Sequence, residues 1–304
     1  MPSDPVSNSL INLGELSKPA TVFIEKISNA VGGICQPWQM KRVAKAEAEI
    51  AITKAQTEIQ VTGLQRRAMQ RFFEEEARHQ QNIEDITAQA VPQLDEGSKP
   101  ETMEDDWISN FFEKSRIVSD KEMQALWARV LAGEANAPAS YSKRTVNFLS
   151  ELDKKDANMF AALLGFTVII GQPMPVVFDS ENAIYNGAGV NFITLRQLES
   201  IGLISFDNLS GYQRQGLPEK FLLAYFGAPI PMEMRNEPRN LELGKVLLTS
   251  VGQELARIVD ARPVDGFLAY LTEKWKAHMP PAPPVPTAPA AAKQVGSTLP
   301  PEAT

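Results

Sequence analysis

Two histidines and one cysteine are the only imidazole and thiol groups in this 304-residue chain, which limits the chemistry its side chains can do. A hydrolytic triad needs an imidazole to take the nucleophile's proton. His79 lies in a polar, helix-like stretch, His278 borders a Pro/Ala-rich end, and no G-x-S-x-G turn accompanies either. Glu76 and His79 have the three-residue spacing that places a carboxylate and an imidazole on one helical face, the repeating unit of di-iron bundles. The chain has no second copy of that unit, so Glu74-Glu75-Glu76 reads as a solvated face. Cys35 is alone, which rules out an intramolecular disulfide or a thiolate cage and points to a reducing compartment. Gly187-Ala188-Gly189 is an isolated loop fragment, and neither phosphate-cradling glycine pattern occurs. Lys143 and Arg144, between Ser142 and Thr145, read as an ordinary capped helix start. The expectation is a protein without catalytic residues, cofactor or metal.

The elements that would carry a function are mainly helical. A hydrophobic fraction of 43% supports a substantial core, and a formal charge of −7 argues against general polyanion binding. Residues 1–18 read as a flexible lead-in without a secretion signal. Residues 19–38 read as an amphipathic helix, with Val22, Phe23, Ile27, Val31 and Ile34 at helical spacing. Residues 39–91, with one glycine and no proline before Val91, predict a long polar helix or coiled coil, or a helical pair broken near Gly63. Its partial seam of Ala48, Ile52, Ala55 and Ile59 favours a homo-oligomer. Residues 92–170 read as a helical domain, with core spacing at Trp107, Ile108, Phe111, Phe112 and at Met123, Leu126, Trp127, Val130, Leu131. Residues 280–304 read as a disordered Pro/Ala-rich tail.

The stretch 171–279 has a different texture. A helix over Ile193–Ile201 with Leu195, Leu198 and Ile201 inward is followed by the strand Leu203–Phe206 and an excursion. A second strand pair is suggested by Lys220–Phe226 and Glu242–Leu248, and a helix capped by Thr249 and another from Phe267 close the series. That order is the order of a winged-helix-like α+β domain. The predicted fold is therefore mainly α with a small β component: a long N-terminal helix, a central helical domain and a C-terminal winged-helix-like domain.

Three surfaces follow from these elements. Arg196 and Gln197 on the second helix, with Arg214 and Lys220 in the excursion, are the candidate contacts to DNA, although Glu199, Asp207 and Glu219 dilute them. Winged helices also dock proteins, so the fold leaves an unidentified protein partner equally open. Phe23, Ile27 and Val31, with Lys41 and Arg42, either dock the first helix on the body or hold it on a membrane or partner surface. The uncharged run from Ala157 to Phe178 approaches the length of a membrane span, but its Gly and Pro residues favour a buried core segment. The expected location is the cytoplasm, with the inner face of the membrane as the alternative.

One resemblance adds to this reading. Asp106-Trp107-Ile108 with Phe111-Phe112, Val118-Ser119-Asp120-Lys121-Glu122-Met123-Gln124, Leu126-Trp127-Ala128, Leu131-Ala132-Gly133-Glu134, Ser142-Lys143-Arg144-Thr145 and Leu152-Asp153-Lys154-Lys155-Asp156-Ala157 resemble an uncharacterised bacterial family, a domain of unknown function. It carries over no activity. A fainter likeness links the same tryptophan-bearing helix and Leu-Asp-Ala helix to bacterial abortive-infection proteins. The function expected is that of a non-enzymatic interaction protein that self-associates through its long helix and docks a macromolecule, in stress or anti-phage response. The alternatives are a DNA-binding regulator and a membrane-surface protein.

Overall fold

A computed structural model describes residues 17–31, 62–235 and 237–280. The predicted lead-in to residue 16, the seam of Ala48, Ile52, Ala55 and Ile59, and the tail beyond 280 lie outside the described residues. Helix α1 (Lys18–Val31) buries Ala20, Phe23, Ile24 and Ile27. It packs on α3 (Asp105–Ser115), and Lys26 Nζ lies 2.6 Å from Asp105 at the start of that helix. Helix α2 (Gly63–Ala90) begins where the lone glycine had suggested a break. Thr62 and Gln65 close a reciprocal capping box there, so the start is encoded by the cap. Only the last third of α2 is buried, through Asn82, Ile83, Ile86, Thr87 and Ala90.

That third lies on α4 (Lys121–Asn136), and a polar tie fixes the contact. The buried Asn82 amide donates to Arg116 O at 2.8 Å, and the buried Gln124 amide donates to Asn82 Oδ1 at 3.1 Å and to Val118 O at 2.8 Å. Buried amides that satisfy one another specify a register that apolar packing alone would leave free. Below this layer Trp107 stacks on Phe111 at 5.2 Å, while Trp127 meets Phe111 edge-on at 5.0 Å. Trp107 Nε1 donates to Tyr141 O at 2.7 Å, so the indole is satisfied within the core. Caps at Asp120 and Ser142 start α4 and α5 (Lys143–Glu151), the second where the sequence suggests a capped start.

The uncharged run from Ala157 to Phe178 is split between α6 (Lys154–Leu164), which takes its first eight residues, and a hairpin, β1 (Thr167–Ile170) and β2 (Gln172–Pro175), reversed at Gly171 with φ +74°. Its Gly and Pro residues serve the turn and the strand rim. No helix among the described residues is long and apolar enough to cross a membrane. β1 joins β5 (Lys220–Tyr225) and β6 (Ala228–Glu233) in a four-stranded antiparallel sheet ordered β2-β1-β5-β6. Both rims carry two prolines at alternate positions: Pro173 and Pro175 on β2, Pro229 and Pro231 on β6.

The predicted pairing of Lys220–Phe226 with Glu242–Leu248 is replaced by three separate ladders. β5 pairs locally with β6, because Phe226 (φ 45°) and Gly227 (φ +84°) close a two-residue turn. β7 (Leu241–Gly244) pairs with β4 (Tyr212–Arg214), and β8 (Val246–Leu248) pairs with β3 (Ile204–Phe206). The cause is Gly244, whose φ of +92° bends the chain between β7 and β8. A Cβ there would lie 2.2 Å from Val177 O, so the bend is pressed against the short parallel bridge from Val177 to Gly244.

In chain order α7 (Ala183–Asn186) and α8 (Phe192–Ser200) lie between β2 and β3, and α9 (Ser250–Ala256) and α10 (Phe267–Lys274) follow β8. Thr249 Oγ1 accepts the Gly252 N–H at 3.1 Å and donates to Gly202 O at 2.7 Å, which caps α9 against the end of α8. Phe166, Tyr185, Phe267 and Tyr270 form an aromatic core beneath α10, with Phe166 edge-on to Phe267 at 4.9 Å. The buried apolar residues run as one cluster from Phe23 to Trp275. Two polar contacts lock its two ends together: Glu254 accepts the Ser142 N–H at 2.8 Å, and Arg129 donates to Ile258 O at 2.8 Å.

Candidate interaction surfaces

Helix α8 is built to show one side. Asn191 accepts the N–H groups of Ile193 and Thr194 at 3.0 and 3.1 Å, and Thr194 Oγ1 accepts the Asn191 N–H at 2.9 Å. That box fixes the helix start, so Leu195 and Leu198 point inward while Ile193 is 78% exposed. Phe192 is also exposed, with its ring 5.7 Å from that of Phe206. Leu209, in the turn after β3, is 94% exposed. Asp207 holds that turn by accepting the N–H groups of Leu209 and Ser210. The hydrogen bond from Ser210, with that from Leu209, keeps the Asp207 carboxyl below the usual range.

The four candidate DNA contacts do not converge. Arg196 is ion-paired to Glu199, whose other oxygen accepts the Phe206 N–H at 3.0 Å, so the cation is tied down to β3. Gln197 is exposed and lies 3.4 Å from Asp156 Oδ1. Arg214 is exposed on β4, beside a cleft of about 210 Å³ lined also by Gln172, Gln213 and Gln253. Lys220 is exposed at the start of β5, opposite Glu233. These side chains sit on three different elements, and among the described residues no hydrogen bond or ion pair links one to another. Coulomb attraction for phosphate needs cations gathered on one face, and here the nearest ones are paired or separated.

The candidate membrane face is taken up inside the protein. Phe23 and Ile27 are fully buried and Val31 is half-buried against the core, so α1 follows the internal-docking alternative. Lys41 and Arg42 lie outside the described residues.

The first two thirds of α2 stand clear of the body. Leu64 is 69% exposed and Phe72 58%, with Met69 and Phe73 about two-fifths exposed. Where α2 reaches the body, His79 Nδ1 lies 3.3 Å from Glu76 Oε1, which lies 4.0 Å from the Arg116 guanidinium. These three, with Val31, Gln80 and Phe112, line an open groove of about 540 Å³. Among the described residues no cluster of three or more His, Cys, Asp or Glu side chains could hold a metal ion.

The model of the family described as "Protein of unknown function (DUF2806)" matches residues 66–272, more than two thirds of the 304. The chain belongs to that family. No match was found among curated proteins or among solved structures. The matched span takes in α2 from its fourth residue on, the helical core and the C-terminal sheets through most of α10. The exposed pair Phe192–Ile193 and the free aromatics of α2 were not singled out from the sequence. Their only signal there is an apolar side chain lying off the row that points inward.

Proposed function

We propose that this family member is a non-catalytic interaction protein, which self-associates through its long helix and docks a protein partner through its C-terminal unit. In this reading α8, β3, the excursion through β7, β8 and α9 form a winged-helix-like unit, and α8 is its presenting helix. The observation that carries the reading is the character of α8's free side: Phe192 and Ile193 are exposed, whereas Arg196 is neutralised by Glu199. An apolar side with a paired cation suits a protein surface better than a phosphate backbone. The stress or phage response is the setting proposed for it, from the likeness to abortive-infection proteins.

The test compares the full chain with Ile193→Asp in affinity capture from its own cells. A partner retained by the wild type and lost by the variant supports protein docking. Fluorescence anisotropy with duplex DNA at low salt covers the regulator alternative: binding that Arg196→Glu weakens would replace the protein-docking reading.

A further inference from the structure

We propose that the free part of α2 is a self-complementary contact for a second copy of this chain, with the two helices antiparallel. The inference deepens the self-association part of the functional reading and rests on it. From Thr62 to Glu74 every residue of α2 and its cap is exposed, so nothing in the described body covers this length. Leu64, Met69, Phe72 and Phe73 nevertheless place four large apolar side chains within ten residues of water. Phe72 and Phe73 meet edge-on at 5.8 Å and form a broad aromatic shoulder. An isolated Leu in water needs no explanation, but an aromatic pair with Leu and Met on the same free helix marks a contact surface.

The charge pattern selects the occupant and its direction. Arg66, Arg67 and Arg71 lie in the first turns without an acidic residue among them, and Glu74, Glu75 and Glu76 follow after Phe72 and Phe73, with Arg78 beyond them. Side by side in the same direction, two copies would set arginine against arginine and glutamate against glutamate. Head to tail, the arginine-bearing turns of one copy run beside the glutamate-bearing turns of the other, and the aromatics meet near the midpoint. A two-fold axis makes the same patch serve on both copies, as an isologous dimer requires. The alternation also argues against an anionic surface, since the glutamates would face it as well. Arg71 and Glu75, 3.6 Å apart within one helix, are placed to exchange partners across the axis.

The experiment is the mass of the full chain in solution, by light scattering on a sizing column. The wild type should run as a dimer, and Phe72→Asp/Phe73→Asp should lower the mass about two-fold while the far-ultraviolet circular dichroism stays that of the folded chain. Direction is read by disulfide trapping in a Cys35→Ser background: Leu64→Cys mixed with Arg78→Cys, two heptads further along the same face, should cross-link, and Leu64→Cys alone should not. An oligomer that survives the double substitution overturns this contact but leaves self-association intact. A monomeric wild type overturns both, and if the double substitution then also lowers the melting temperature, the aromatics are covered from within the chain. Preferential Leu64→Cys self-linking overturns the antiparallel direction.

Discussion

Glu134 shows how a single side chain can fix a turn. It lies within α4, and its two carboxylate oxygens accept the N–H groups of Ala139 and Tyr141 at 2.7 and 2.9 Å. Ala139 is in left-handed backbone at φ 67°, a conformation that needs such outside support. Burial pushes the Glu134 carboxyl above its usual 4.5, and burial also pushes the neighbouring Tyr141 hydroxyl up to about 12. A carboxyl that titrates higher in the folded chain contributes stability that is complete below 4.5 and is lost as the pH rises through its folded value. Glu134→Gln keeps an acceptor for one N–H and turns an amide donor toward the other. It should cost about 1–3 kcal/mol at neutral pH. The gap from wild type should widen as the pH falls from neutral toward the ordinary carboxyl range, as read by urea unfolding at each pH; a gap that narrows contradicts the assignment. Gly252 is a second such residue, since a Cβ there would lie 2.1 Å from Leu203 O. Gly252→Ala should push α9 off Leu203, the residue before β3, and lower stability by about 2 kcal/mol or more, measured by thermal unfolding.

At the scale of elements, caps and apolar periodicity decide what the sequence reveals. Helices α4, α5 and α9 announce themselves because Asp120, Ser142 and Thr249 precede rows of inward Leu, Val and Trp, and α8 does so by the spacing of Leu195 and Leu198, with its cap at Asn191 evident only in the fold. Strands β2 and β6 stay hidden because prolines at every second position argue against a strand, yet an edge strand tolerates them. The split of β7 from β8 is equally invisible, since it depends on a close approach between Gly244 and Val177, far apart in sequence. The α8 arginine was legible as a candidate, and so was the glutamate three residues on; that the two are paired is a fact of rotamers. The contact of α2 with α4 tests this scale directly. Ile86 is fully buried in it, and Ile86→Ala should cost about 2–5 kcal/mol in chemical denaturation.

The molecule as a whole behaves as one packed body from α1 to α10, because the apolar cluster is continuous and Ser142–Glu254 and Arg129–Ile258 bridge its ends. In a Trp38→Phe background, which removes the tryptophan outside the described residues, far-ultraviolet circular dichroism should follow helices throughout the body, while tryptophan fluorescence samples Trp107 and Trp127 at one end and Trp275 at the other. Both signals should fall in a single coincident urea transition; two separated transitions would show independently folding halves.

The proline-studded rims of the four-stranded sheet carry a consequence for how any neighbour can attach. On an outermost strand alternate residues aim their amide hydrogens away from the sheet, and proline has none to offer. With Pro173 and Pro175 at one margin and Pro229 and Pro231 at the other, an incoming extended peptide finds the rungs missing on either side. Growth into a ribbon of stacked molecules is thereby discouraged, and a companion molecule must grip through side chains instead of prolonging the pleat.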